Sequence, residues 1–135
     1  MFKIAKKRAL NESVTLMEVE APLIAKKART GQFIIFRVDE FGERVPLTIA
    51  ETDPDRGTVT IIFQTVGSST KKLSLLGEGD EIADFAGPLG MPTEIPEGTR
   101  RACVVGGGLG CAICYPQAKF LRESGCRVDM IAGFR

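Results

Sequence analysis

The sequence contains no histidine. Neither a Ser-His nor a Cys-His nucleophile pair can therefore be built, and a histidine-ligated metal is excluded as well. Also missing is any apolar run near the roughly 18 residues that a helical membrane span needs. The N-terminus, Met1-Phe2-Lys3-Ile4-Ala5-Lys6, has neither the apolar core nor the cleavage site of a signal peptide, so a cytoplasmic protein is expected. No sign of charge dominates: 18 basic residues against 17 acidic leave +1. Basic clusters such as Lys6-Lys7-Arg8 and Lys26-Lys27 are short and read as solvated faces. A nucleic-acid partner has no support.

Cysteines are few and confined to the last third, at positions 103, 111, 114 and 126. Cys111 and Cys114 have metal spacing, but a structural zinc site needs four ligands. Cys103 and Cys126 stand beside expected buried strands and read as small core residues. A redox dithiol at a helix start is chemically possible. The reading preferred here is an inert pair beside a glycine loop, unpaired in a reducing cytosol.

What is present is apolar material for a core, 44% of 135 residues, in a mainly β pattern. Phe2–Ala5 and Ser13–Val19 alternate apolar and polar residues as half-buried strands do, with a turn at Asn11-Glu12. Pro22 to Thr30 reads as a basic connector. Phe33 to Val38 is a strand, Asp39 to Glu43 a hairpin turn, and Arg44 to Ala50 a strand. Its Pro46 suggests an edge, a bulge or a neighbour that is not a strand. Asp53 to Gly57 is a turn, Thr58 to Val66 a strand, Ser68 to Leu76 a short helix, and Asp80 to Phe85 a strand running into Gly87-Pro88-Leu89-Gly90. Short, evenly spaced strands with one helix predict a small antiparallel Greek-key barrel over 1–98. The polar, proline-bearing stretch from Pro92 to Arg100 marks the boundary.

From 99 to 135 the pattern changes to βαβ. Cys103-Val104-Val105 runs into Gly106-Gly107-Gly108-Leu109-Gly110, then a helix from Ala112 to Arg122. After the break at Gly125, Arg127 to Ala132 reads as a second buried strand. Glycines admit close backbone approach, and a helix N-terminus offers free N–H groups and partial positive charge. The loop departs from G-x-G-x-x-G, because Cys111 takes the third position. A tight turn with no ligand is the plain alternative. Arg135, after the second strand, is a cation that could meet a 2′-phosphate, a lean toward NADP. Gly67-Ser68-Ser69-Thr70 is a second candidate anion site, for which an ordinary helix cap is the alternative.

Four segments in order resemble the ferredoxin–NADP reductase superfamily: Arg44-Val45-Pro46-Leu47-Thr48, Val66-Gly67-Ser68-Ser69-Thr70, Gly87-Pro88-Leu89-Gly90 and Val105-Gly106-Gly107-Gly108-Leu109-Gly110. Within it the chain is most similar to small FAD-binding electron-transfer subunits, those of NADH-dependent ferredoxin:NADP oxidoreductase (sulfide dehydrogenase) and of dihydroorotate dehydrogenase. The resemblance implies that Pro46, Leu47 and Thr48 line the flavin, with Ile62, Phe63 and Gln64 on the neighbouring strand. Gly67, Ser69 and Thr70 would face the FAD pyrophosphate. Gly106, Gly107, Gly108 and Gly110 would face a nicotinamide dinucleotide, NAD(P). Arg44 would be the flavin-phosphate arginine, one residue out of the usual register. Leu47 replaces the usual tyrosine over the ring, and Cys114 stands where many relatives have proline.

The function implied is hydride exchange between NAD(P)H and FAD, with electrons passing on to iron–sulfur partners and no catalytic acid or base. Those partners would be a large flavin/iron–sulfur subunit and ferredoxin-like carriers. The alternative is a non-catalytic assembly module, associating through the open strand edges at Val104 and Val128 with a partner or its own twin. Such subunits carry a full nucleotide-binding sheet and a cysteine cluster for a [2Fe–2S] centre, which needs four clustered thiolates. The chain therefore reads as an N-terminal fragment, the cluster belonging to a missing C-terminal part.

Overall fold

The computed structural model describes residues 1–135, as nine strands and three helices. The strands are β1 (Phe2–Ala9), β2 (Val14–Glu20), β3 (Phe33–Arg37), β4 (Val45–Asp53), β5 (Thr58–Gln64), β6 (Glu81–Ile82), β7 (Asp84–Leu89), β8 (Arg101–Gly107) and β9 (Arg127–Gly133). The helices are α1 (Pro22–Lys27), α2 (Ser68–Leu75) and α3 (Gly110–Glu123). The first seven strands form one antiparallel sheet in the order β6-β1-β2-β5-β4-β3-β7. Strands β3, β4 and β5 follow one another, and β2 lies beside β5, which is the Greek-key arrangement expected. The outermost strands, β6 and β7, are separated in sequence only by Ala83. The sheet must therefore curl until its two ends meet, and a nearly closed barrel results.

The turns form where short polar side chains can bond their own backbone. Asn11 Oδ1 accepts the N–H groups of Ser13 and Val14 between β1 and β2. Asp39 Oδ1 accepts that of Phe41 between β3 and β4. Between β4 and β5, Asp53 Oδ1 accepts those of Asp55 and Arg56, and Gly57 completes the turn at φ +69. Alternation then directs Ile34, Phe36, Ile61 and Phe63 inward, into a core of 15 buried residues.

Several expectations require correction. Pro22 to Lys27 is a helix rather than a connector: proline occupies its first turn, where no N–H is needed, and Ile24 and Ala25 are buried. The Asp80–Phe85 strand is two strands serving opposite ends of the sheet, and Gly87-Pro88 lies within β7. β4 is an interior strand. Strands β8 and β9 pair in parallel with α3 between them, the expected βαβ, but β9 is largely exposed rather than buried. Cys103 is exposed too, whereas Cys126 is 4% exposed, as a core residue should be. No helix is long and apolar enough to cross a membrane.

Candidate functional site

The sheet has one internal gap. β4 and β5 pair from Asp53–Thr58 up to Ile49–Ile61, with a register shift between Ile49 and Glu51, and the ladder then stops. Both strands continue. β4 goes on pairing with β3, Thr48 to Val45 against Phe33 to Phe36, and β5 goes on pairing with β2, Ile62 to Gln64 against Leu16 to Val14. The segments Pro46–Thr48 and Ile62–Gln64 therefore flank a split with no hydrogen-bonded rung across it. This explains how an interior strand tolerates Pro46: its ring faces the unpaired side of the ladder, where no N–H is called for.

Alternation decides which of these side chains are available. Phe63 is 1% exposed and belongs to the core, so its side chain is withdrawn from the split, against expectation. Leu47 is partly buried and packs against the same core. Pro46, Thr48, Ile62 and Gln64 retain exposure.

At the start of α2, Lys71 is the first residue whose N–H reaches back to a carbonyl, that of Gly67. The N–H groups of Ser68, Ser69 and Thr70 have no acceptor, and Gly67 brings no capping side chain. Thr70 is 7% exposed, and its hydroxyl is committed locally. It accepts the N–H groups of Val66 and Gly67 and donates to the Gly67 carbonyl. The residue thus shapes the turn. What remains for an anion is three amides and the part-exposed Ser69. The β3–β4 hairpin closes over this end, Phe41 to Glu43 sharing a small crevice with Ser68, Ser69 and Lys72.

Arg44 precedes β4 and is 64% exposed on its side chain. The register from Val45 to Thr48 is regular, so no bulge at Pro46 turns it. Its guanidinium lies instead beside Asp84 of β7, a carboxylate shared with Arg37 of β3.

The glycine turn opens onto the barrel. Gly107, Gly108, Leu109, Cys111 and Ala112 line a cleft with Ile62 and Gln64. Arg135, the cation singled out in the sequence, lines it too, whereas its other walls went unrecognised: Leu10, Asn11, Ser13 and Val14 of the β1–β2 hairpin, with Phe134. Nothing local marks a hairpin tip as the far wall of a cleft.

The glycines divide by role. At Gly106 a Cβ would stand 3.0 Å from Cys111 Cα and 3.2 Å from Cys114 Sγ, so this glycine lets α3 pack on β8. Gly107, Gly108 and Gly110 face open space. The loop is less rich in free donors than its sequence suggests. Gly108 donates to the Gly133 carbonyl, Cys111 to Gly108 and Ala112 to Leu109, which leaves the Leu109 and Gly110 amides.

No protein-family model matches the chain. It is 50% identical over 141 aligned residues to a Clostridium beijerinckii protein described as an uncharacterized protein in the adh 3′ region, covering all of this chain and 48% of that protein. It is 44% identical to the Thermotoga maritima dihydroorotate dehydrogenase B (NAD(+)) electron transfer subunit homolog, covering 98% of this chain and 47% of the relative. Among solved structures, an NADH-dependent reduced ferredoxin-NADP oxidoreductase studied for flavin-based electron bifurcation superposes with a TM-score of 0.96 at 43% identity. That match covers all of this chain and 49% of the other. The chain spans about half the length of the relatives it matches. It has the ferredoxin reductase-like fold and is similar in sequence to electron transfer subunits of dihydroorotate dehydrogenase B (NAD(+)).

Proposed function

We propose that the split between β4 and β5 holds the flavin of FAD, with the pyrophosphate at the first turn of α2. The observation that carries this reading is the ladder ending at Ile49–Ile61 while both strands run on. A planar ring system is the kind of group that can lie between two diverging strands. Pro46 and Thr48 would meet it from one side, Ile62 and Gln64 from the other, with Leu47 and Phe63 supporting from the core. The donor set fits the rest of the molecule. Three free N–H groups at a helix N-terminus suit a pyrophosphate, and Gly67 has nothing within 4 Å to obstruct one. Arg44 is placed to add charge if it leaves Asp84.

Bound FAD would accept hydride and release single electrons, and the protein would position and tune it. The chain's own part would be to hold the ring beside the cleft, with Leu47 and Phe63 shielding it on the core side. Ile62 and Gln64 share that cleft with Gly107 and Gly108. Hydride exchange needs nicotinamide and flavin close together, and this adjacency supports a nicotinamide dinucleotide at the glycine turn. Onward transfer would go to iron–sulfur groups on a larger oxidoreductase subunit or on ferredoxin-like carriers. The test is reconstitution. The purified chain, given FAD, should retain flavin absorption through gel filtration. Ser68→Pro, which removes one first-turn N–H at the N1 position that tolerates proline, after the extended Gly67, should weaken retention. No retained flavin would overturn the reading.

One observation favours a second reading, an assembly module. The β8–β9 face turned away from α3 presents Val105 at 65% and Ile131 at 59% exposure. Light scattering at two concentrations checks it, and a strict monomer at both argues against self-association.

A further inference from the structure

We propose that the Lys119–Glu51 ion pair is a latch that fixes the βαβ unit against the barrel, about a hinge at residues 94–98. The inference holds whether or not a flavin occupies the split.

The barrel and the βαβ unit share no core: all 15 residues of the buried cluster lie at or before Phe85. Of the hydrogen bonds and ion pairs in the structure, one joins a barrel strand to the βαβ unit. Lys119 Nζ of α3 donates to Glu51 Oε1 of β4 at 2.8 Å. Around this pair lies a cleft of about 560 Å³ between the two bodies. Its walls include Ala28 to Thr30, Pro92 to Glu94, Pro116 and Phe120. Beside the cleft α3 packs on β4, with Pro116 as its buried residue, and the ion pair adds a polar restraint to that contact.

The connecting segment is anchored at both ends and free in the middle. On the barrel side, Thr93 N–H donates to the Thr30 carbonyl at 2.8 Å, and Thr93 sits directly over Gly31, where a Cβ would collide with it. On the other side, Cys126 Sγ donates to the Thr99 carbonyl, and Arg127 N–H donates to that of Arg100. The stretch between them bonds only within its own turn, Thr99 donating to the Pro96 carbonyl through N–H and hydroxyl. Rotation of one body against the other is therefore absorbed at 94–98, and Lys119–Glu51 is the polar contact that resists it. Release would open the cleft and shift the glycine turn relative to Ile62 and Gln64.

The test uses the whole chain, uniformly ¹⁵N-labelled. Residual dipolar couplings and ¹⁵N relaxation should fit one alignment tensor and one tumbling time for barrel and βαβ amides together. Lys119→Met and Glu51→Gln should each measurably loosen that shared fit, with barrel chemical shifts unchanged away from position 51. The reversed pair, Glu51→Lys with Lys119→Glu, should restore it. In the unaltered chain, raising salt to about 1 M should also separate the two bodies, because screening at that strength acts within a few ångströms. Two separate tensors in the unaltered chain at low salt would overturn the proposal. So would one shared tensor persisting in both single variants, or in high salt.

Discussion

Arg44 Nη2 lies 3.5 Å from Asp84 Oδ2, the same oxygen that accepts a hydrogen bond from Arg37 Nε at 2.5 Å. One carboxylate thus serves two cations, unequally. Arg37 is the less exposed arginine and the closer one, so it carries the structural contact and Arg44 is the loosely held partner. Asp84→Ala should destabilise the barrel by about 1 kcal/mol, and Arg44→Ala by less than about 0.5 kcal/mol, in urea unfolding. If Arg44 serves a flavin phosphate, Arg44→Ala should weaken FAD retention with stability almost unchanged.

Thr70 bonds the two amides that precede its own helix and gives its proton to Gly67. Thr70→Ala should cost about 1–2 kcal/mol, and Thr70→Ser should recover most of it. Thermal unfolding of the two variants side by side makes the comparison.

The glycines of the turn separate packing from recognition. Gly106→Ala should destabilise the βαβ unit, because its Cβ meets backbone at 3.0 Å. Gly108→Ala is strained by φ +54, at about 1 kcal/mol. Gly107→Ala should leave stability unchanged, with nothing within 4 Å. Any effect of Gly107→Ala on nicotinamide-dinucleotide titrations would then report on the loop as a binding surface.

The Lys119 ammonium is held above its ordinary 10.5, first by its hydrogen bond to Glu51 and then by that carboxylate's charge. Tyr115 and Glu123 on α3 reinforce this, and partial burial opposes it. Since the folded state raises this group, its contribution is complete below 10.5 and is lost as pH rises through the higher folded value. Both side chains are more than a third exposed, at 43% and 49%, so the contribution is below about 1 kcal/mol. Stability measured across the alkaline range should fall less in Lys119→Met than in the unaltered chain.

Thiol reactivity should follow exposure. A disulfide reagent should consume Cys103 first and Cys126, 4% exposed, last. Mass spectrometry of the partly modified chain reads the order.

The legible parts of the fold were those set by local chemistry. Asn11, Asp39 and Asp53 announce turns because their side chains bond the next few amides wherever they are placed. Pro46 announced a missing neighbour, and the structure supplies one, though in the middle of the sheet rather than at its edge. Harder to see were features that depend on who lies opposite whom. The helix at Pro22–Lys27 is too short to show a period, and its burial is decided by the sheet beneath it. Phe63 sits beside two residues that face outward, and only the barrel's closure says which face is inside. Arg127 to Ala132 reads as buried because it is apolar, yet exposure depends on what covers it. The Glu51–Lys119 pair joins residues 68 apart, with nothing near either to mark it.

Barrel closure also orders events in time. The rung that joins Phe2 to Ile82 and the pairing of β3 with β7 both wait on one stretch, residues 81–89, connected through Ala83. A chain emerging from the ribosome therefore presents β1 and β3 with open outer edges until that stretch arrives, and then satisfies both at once. Contacts of such long sequence separation are slow to form. The last segment of the barrel to be made is the one that covers the outer edges of β1 and β3.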